Sequence, residues 1–286
     1  QQLTEALTIY TQLHGHDNPE VARATQELAA LEAARGDYAA AEKTFRRALD
    51  IHRRVSPSDS VDLATTLSDL GSTLTGLDRF DEAEKLLTEA LRIARLPANA
   101  GQNALPEALN NLAYVYSHQN QPEKAEALYR ESLALNRRML GDTHPNIATN
   151  LDNIATVLML RGDMDGAEQA FRDALEMRRK LFGADHPDVG TSLHNLAYLL
   201  CQRNQWDKAE PLLLEALPIF RKTLGMGNPD TLTVCDSLVT VVGRHDLKAA
   251  EAVLVEAYAG AESSRLVPDE RRRAIANRLA DVYTAM

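Results

Sequence analysis

The chain is poor in several things that mark other protein classes. Only two of its 286 residues are cysteine, Cys201 and Cys235, and neither has a second Cys or a His at metal-ligand spacing. Neither a disulfide framework nor a zinc site is supported, and a reducing cytoplasmic setting is expected. Aromatics make up 5% of the residues while Ala and Leu recur throughout. That balance suits helices packed closely through small side chains better than a β-sandwich with an aromatic core. No run approaches the roughly 18 apolar residues needed to cross a bilayer, and the basic-then-apolar layout of a signal peptide is missing, so no membrane partner is expected. Positive charge is in deficit, with 31 Lys and Arg against 41 Asp and Glu and a formal net charge of −10. A phosphate-tracking basic face, and a nucleic-acid partner with it, is excluded on that count. No P-loop, dinucleotide-binding glycine fingerprint, nucleophile elbow or zinc-protease helix is present, so no enzyme activity and no cofactor are expected.

What is there is repetition. Ala-Glu pairs recur at Ala41-Glu42, Ala83-Glu84, Ala125-Glu126, Ala167-Glu168, Ala209-Glu210 and Ala250-Glu251, at steps of 42, 42, 42, 42 and 41 residues. Upstream columns (Leu28, Leu70, Leu112, Ile154, Leu196, Leu238) and downstream columns (Leu49, Leu91, Leu133, Leu175, Leu217, Tyr258) keep the same register. Within each repeat the apolar residues fall at helical spacing in two segments, in the fourth repeat roughly residues 147–160 and 164–181. Turn-formers separate them: Gly36-Asp37, Asp78-Arg79, Asn120-Gln121-Pro122, Gly162-Asp163 and Asn204-Gln205. Each repeat is therefore a helix-turn-helix whose two helices pack antiparallel. Three columns hold small residues, among them Ala29/Gly71/Ala113/Ala155/Ala197, while Phe45/Leu87/Tyr129/Phe171/Leu213 and Tyr38/Phe80/Met164/Trp206 are expected to fill the remaining volume. One hairpin cannot bury such faces, but stacked neighbours can.

Leu140-Gly141-Asp142-Thr143-His144-Pro145, Gly183-Ala184-Asp185-His186-Pro187-Asp188-Val189, Leu109-Asn110-Asn111-Leu112-Ala113 and His194-Asn195-Leu196-Ala197 carry a family resemblance. The pattern resembles tetratricopeptide repeats, in the 42-residue variety of kinesin light chains and many bacterial multidomain proteins. The resemblance covers nearly the whole chain and implies an all-α, right-handed α–α superhelical solenoid of about six repeats, placed near 19–60, 61–102, 103–144, 145–186, 187–228 and 229–266. Residues 1–14 match the second helix of a partial repeat, so the chain is expected to continue upstream of Gln1. Residues 268–286 read as a cap or as the first helix of a cut seventh repeat, and the connection Leu96-Pro97-Ala98-Asn99-Ala100-Gly101-Gln102 reads as looser than the others.

Most recurring polar residues have structural explanations. Asp81-x-x-Glu84, Asp165-x-x-Glu168 and Asp207-x-x-Glu210 fit capping boxes, and Glu42/Arg46, Glu126/Arg130 and Glu168/Arg172 have i,i+4 spacing. Arg53, Arg95, Arg137, Arg179 and Arg221 recur near the ends of second helices, where positive charge complements the helix dipole. His144 and His186, like Asn18 and Asn228, precede a Pro at a helix start and read as caps, not metal ligands. Asp163-Met164-Asp165-Gly166 lacks the remaining ligands of a calcium loop and reads as a turn.

The resemblance implies that first helices line a concave groove, and it allows a candidate peptide-binding set to be named: Asn110, Asn111, Tyr114, Thr149, Asp152, Asn153, Thr191, His194, Asn195 and Tyr198. Asn amides can hold both N–H and C=O of an extended backbone, and the tyrosines can anchor apolar side chains. Grooves of the family that clamp a C-terminal carboxylate or an acidic motif depend on inner Lys and Arg. Here the inner columns contain Arg23 and Arg244 near the ends against Glu27, Asp69, Glu107, Asp152 and Asp236, so a neutral or basic protein segment is favoured, held mainly between the third and fifth repeats. Three roles compete. The leading one is a protein-binding scaffold or sensor of a larger intracellular protein; the second is a substrate-positioning or regulatory module of a multidomain enzyme with a nucleotide-binding switch, kinase or protease. The third is an architectural solenoid that self-associates through its terminal repeats, whose uncapped ends leave apolar faces open.

Overall fold

The computed structural model describes residues 2–99 and 102–286, without the side chains of residues 2–4, 6 and 14. Gln1 of the expected first helix and the Ala100-Gly101 step of the looser connection lie outside the described residues. Among the described residues the regular elements are fourteen α-helices and one short 3-10 turn.

The chain divides into two bodies, Gln1–Asp142 and Thr143–Met286. The N-terminal body contains α1 (Gln2–His14), α2 (Pro19–Ala34), α3 (Tyr38–Val55), α4 (Val61–Thr75), α5 (Phe80–Ala94), the 3-10 turn Pro97–Asn99, α6 (Ala104–His118) and α7 (Pro122–Leu140). Its hairpins are α2/α3, α4/α5 and α6/α7; α3 also packs on α4 and α5 on α6, and the first helices α2, α4 and α6 touch in series. The C-terminal body contains α8 (Pro145–Leu160), α9 (Met164–Phe182), α10 (Pro187–Gln202), α11 (Trp206–Leu224), α12 (Pro229–Val242), α13 (Leu247–Ser263) and α14 (Asp269–Ala285). Here α8/α9, α10/α11 and α12/α13 form the hairpins, with α9 on α10, α11 on α12 and α14 on α13. Each body is thus a segment of an α–α solenoid.

Local chemistry sets the helix ends. Asn18 and Asn228 accept hydrogen bonds from the backbone N–H two residues on, both at 2.8 Å, and His144 and His186 do the same through Nδ1 at 3.2 Å. The proline after each occupies the first helical position, where its missing N–H costs nothing. At the turns inside five repeats, Gly36, Asp78, Asn120, Gly162 and Asn204 stand in register and all take positive φ, between 57° and 81°. That left-handed step lets the chain reverse within three residues. The next residue, Asp37 or Asp163, caps the second helix, accepting from the N–H three residues on at 3.1 and 3.0 Å.

This geometry corrects the capping-box reading. Asp81, Asp165 and Asp207 are second residues of α5, α9 and α11, already inside the helix, because the left-handed turn starts each helix one residue after Arg79, Asp163 or Gln205. Gly162 has open space where a Cβ would stand, so the cost of Gly162→Ala is conformational alone. It is expected to lower stability by about 1–2 kcal/mol, read as a lower urea midpoint of the Trp206 fluorescence; an unchanged midpoint would show that the turn does not need glycine.

The small columns do what close packing requires. Ala29, Ala113, Ala155 and Ala197, with the Ala of every Ala-Glu pair, are fully buried, and Phe45, Leu87, Tyr129, Phe171 and Leu213 fill the space facing them. The column Tyr38/Phe80/Met164/Trp206 departs from expectation and remains half-exposed or exposed. These are first residues of second helices, so their side chains overhang the turn and reach residues 38 positions on: the Tyr38 ring lies over Gly76, Phe80 stacks on His118 at 5.0 Å, and Arg244 sits 4.4 Å over the Trp206 ring.

Candidate functional site

Two ladders account for most of the recurring charge, and both tie one repeat to the next. The glutamates of four Ala-Glu pairs each meet a residue in the following repeat's turn: Glu42 with Arg79 at 2.7 Å, Glu84 with Gln119 at 2.9 Å, Glu168 with Arg203 at 2.8 Å and Glu210 with His245 at 2.8 Å. The i,i+4 partners also form, at 2.8 Å for Glu42–Arg46, Glu126–Arg130 and Glu168–Arg172. The second ladder uses the arginines near second-helix ends. Arg53–Glu89 (3.2 Å), Arg95–Glu131 (2.7 Å), Arg179–Glu215 and Arg221–Glu256 (2.6 Å) join successive second helices. These arginines are therefore occupied, each exposed pair adding about 0–1 kcal/mol. Among the described residues no group of three His, Cys, Asp or Glu is placed to hold a metal, and burial pushes the Cys235 thiol up to about 12, which keeps it unreactive.

With those charges assigned, the first-helix faces remain. In the N-terminal body Asn110, Asn111 and Tyr114 converge on a recess of about 280 Å³, whose other walls are Tyr38, Ser72, Thr75 and Gly76. Tyr114 keeps 45% and Tyr38 38% of its surface exposed, so both rings are open to a visitor. Asn111 donates an amide N–H to Ser68 Oγ at 3.0 Å, a bond to the neighbouring first helix that fixes its orientation. Tyr38 opens a second helix, α3, and so stands outside the first-helix columns. Its signal was the aromatic at the first position after the turn.

In the C-terminal body the set divides. Thr149, Thr191 and Tyr198 are exposed, and Asn153, His194 and Asn195 half-buried. The Thr149 and Thr191 hydroxyls donate back to the carbonyls of Pro145 and Pro187. His194 Nε2 bonds Ser237 Oγ at 3.0 Å on the next first helix, and burial holds its imidazole below the ordinary range, so it is neutral there. Asp152 is only 7% exposed, and its carboxylate is engaged by Arg178, which also bonds Ser192 Oγ. The fold thereby withdraws Asp152 from the surface set. Burial raises its carboxyl to about 6 against the opposing pull of Arg178, and its Oδ1 has no hydrogen-bond partner among the described residues. At the far end Asp236 is neutralised by Arg271 and by Arg278 at 3.1 Å, both from α14. Among the described residues no helix is long and apolar enough to cross a membrane.

A family model described as tetratricopeptide repeat matches residues 1–54, 24–95, 105–180, 147–222 and 190–263. No curated protein matches the chain. Among solved structures it is similar to BtubC (BKLC) from P. vanneervenii, at 23% identity over 78% of this chain and 90% of that one, with a TM-score of 0.66. It is similar also to a Podosopora anserina kinesin light chain protein of nearly identical tetratricopeptide-like repeats, at 20% identity over 72% and 98% of the two chains, with a TM-score of 0.60. A Signal Transduction ATPase with Numerous Domains from Pyrococcus horikoshii, bearing a tetratricopeptide repeat sensor, aligns over 92% of this chain but 38% of its own, at 17% identity and a TM-score of 0.72. Likeness at these identities establishes a shared fold.

Proposed function

The chain belongs to the tetratricopeptide repeat family, generally a protein-interaction scaffold and generally non-catalytic, and from that premise we propose that it holds a segment of a partner protein against its first-helix faces. The observation that carries this reading is the recess of the N-terminal body, where three residues chosen for an inner face line one open concavity. Ion-pair ladders occupy Arg53, Arg95, Arg179 and Arg221 at the second-helix ends, while the first-helix faces keep amides, hydroxyls and two exposed tyrosines. Such groups hold a peptide backbone without demanding one sequence, and an exposed tyrosine is a frequent anchor of binding energy.

A regulatory setting is a second reading. It is supported by the ATPase likeness, which takes in nearly all of this chain but a minor share of the larger protein. In such a setting the array would act by binding its ligand with different affinity in two states of an attached domain.

Selection of a phage-displayed random peptide library on the full chain tests the primary reading. Peptides should be retained, and Tyr114→Ser combined with Tyr198→Ser should weaken a selected peptide by about ten-fold or more with helicity unchanged. Retention that ignores both substitutions would move the partner to another surface. A chain that selects nothing would remove the peptide-binding role.

A further inference from the structure

On the first-helix face of the N-terminal body the arginine of α2, Arg23, is paired with Glu20 at 2.7 Å, and Asp69 and Glu107 are left with no cation of their own among the described residues. On α4, Asp69 lies one turn before Ser72; on α6, Glu107 lies one turn before Asn110 and Asn111. Both carboxylates therefore stand about 5 Å along the helix axes from the recess. Neither α4 nor α6 contains a Lys or Arg. Asp69 is oriented by a neutral donor, Gln26 Nε2 at 2.9 Å, while Thr66 donates to Gln26 Oε1 at 2.8 Å. Burial holds the Asp69 carboxyl above its usual range. Glu107 stays exposed, yet loss of surrounding water raises it too, and the nearby charge of Asp69 adds to that. The C-terminal body treats its acids differently, since Asp152 has Arg178 and Asp236 has Arg271 and Arg278. Compensated acids there and uncompensated acids beside an aromatic recess here point to a positive charge supplied from outside.

We infer that the N-terminal body selects a partner segment in which a lysine or arginine stands two residues from a bulky apolar or aromatic side chain. The bulky group enters the recess lined by Tyr38 and Tyr114, and the cation meets Asp69 and Glu107. In an extended chain alternate side chains point the same way about 6–7 Å apart, which fits the one-turn offset between recess and carboxylates. A cation so placed replaces repulsion between the two carboxylates with attraction to both, whereas an acidic residue would be repelled. This inference rests on the peptide-binding reading above and adds to it the identity of two neighbouring partner residues.

The test uses the full chain with peptides selected from the random phage-displayed library and then synthesised. Selected sequences should be enriched in a basic residue two positions from a bulky apolar one. Replacing that basic residue by Gln, or using the Asp69→Asn/Glu107→Gln chain, should each weaken binding roughly ten-fold, and the two changes together should cost little more than either alone. Both substitutions keep side-chain shape, and an unchanged circular dichroism spectrum verifies folding. Selected peptides that lack a basic residue, or that bind the doubly substituted chain as tightly as the original, would overturn the inference while leaving peptide binding in place. Failure to select any peptide would overturn both.

Discussion

Arg178→Met should cost the C-terminal body about 3–5 kcal/mol at pH 7, because it leaves the buried Asp152 carboxylate without its cation. Arg178 is 8% exposed, and its guanidinium serves Asp152 on α8 and Ser192 on α10 from its place on α9. One side chain thus joins three helices of adjacent repeats. The cost should depend on pH in a stated direction. Folding raises the Asp152 carboxyl from 3.8 to about 6, so between those values the folded state binds the proton more readily than the unfolded one. Stability from this group therefore falls as pH climbs from about 4 to 6 in the unaltered chain. Without Arg178 the opposing pull is gone, the folded value rises further, and the falling limb extends to higher pH. Asp188, whose charge also raises Asp152, works in the same sense. The penalty of Arg178→Met should consequently shrink at pH 5 and be full at pH 8. Trp206, the single tryptophan, lies on α11 of the same body, so its fluorescence in urea reports the loss directly. A penalty below about 1 kcal/mol at neutral pH, or one that ignores pH, would show that the pair is solvated and that Asp152 is available on the surface after all.

Arg178 also shows which part of the structure the sequence left hidden. Repetition at 42 residues disclosed the hairpins, the turns and the Asn and His caps of the first helices, because each depends on residues close in sequence. Asn18 bonding two residues on, or Gly162 reversing the chain, needs no knowledge of neighbouring repeats. Contacts between repeats instead depend on how far one hairpin is displaced against the next, and a common period of 42 carries no information about that displacement. The structure fixes it through pairs such as Glu42–Arg79, Arg53–Glu89, Tyr38 over Gly76 and Ser68–Asn111, at offsets of 37, 36, 38 and 43. The charge ladder was open to inspection, since Arg53/Glu89, Arg95/Glu131 and Arg179/Glu215 repeat one offset. Asp152 was not, because its column neighbours Asn110 and His194 are half-buried, and the cation that accompanies its carboxylate into the interior, Arg178, comes from a column with no such role in the other repeats' sequence pattern.

Leu87→Ala should destabilise the N-terminal body by about 2–5 kcal/mol, and the size of that loss should depend on the residue at position 71. Gly71 stands in a column that holds alanine in four other repeats, at Ala29, Ala113, Ala155 and Ala197, and a Cβ built there would come within 2.6 Å of Leu87 Cγ. The missing methyl is thus the space that the branched end of Leu87 occupies, where other repeats set alanine in this column and rings such as Phe45, Tyr129 and Phe171 in the large one. Gly71→Ala alone gains helix propensity of about 1 kcal/mol but overpacks Leu87, which costs about 1–3 kcal/mol, so its net effect should be a modest loss. In the Leu87→Ala background the new methyl meets a cavity instead of a side chain, and the same substitution should become stabilising. The double-substituted chain should accordingly be more stable than the two single losses added together, by about 1–3 kcal/mol. Urea unfolding followed by far-ultraviolet circular dichroism, with hydrogen exchange of α4 and α5 to locate the effect, measures all four corners of the cycle. Strict additivity would mean that the α4–α5 contact yields without strain, and that the close approach carrying Asp69 and Ser72 to their places beside α6 does not depend on glycine.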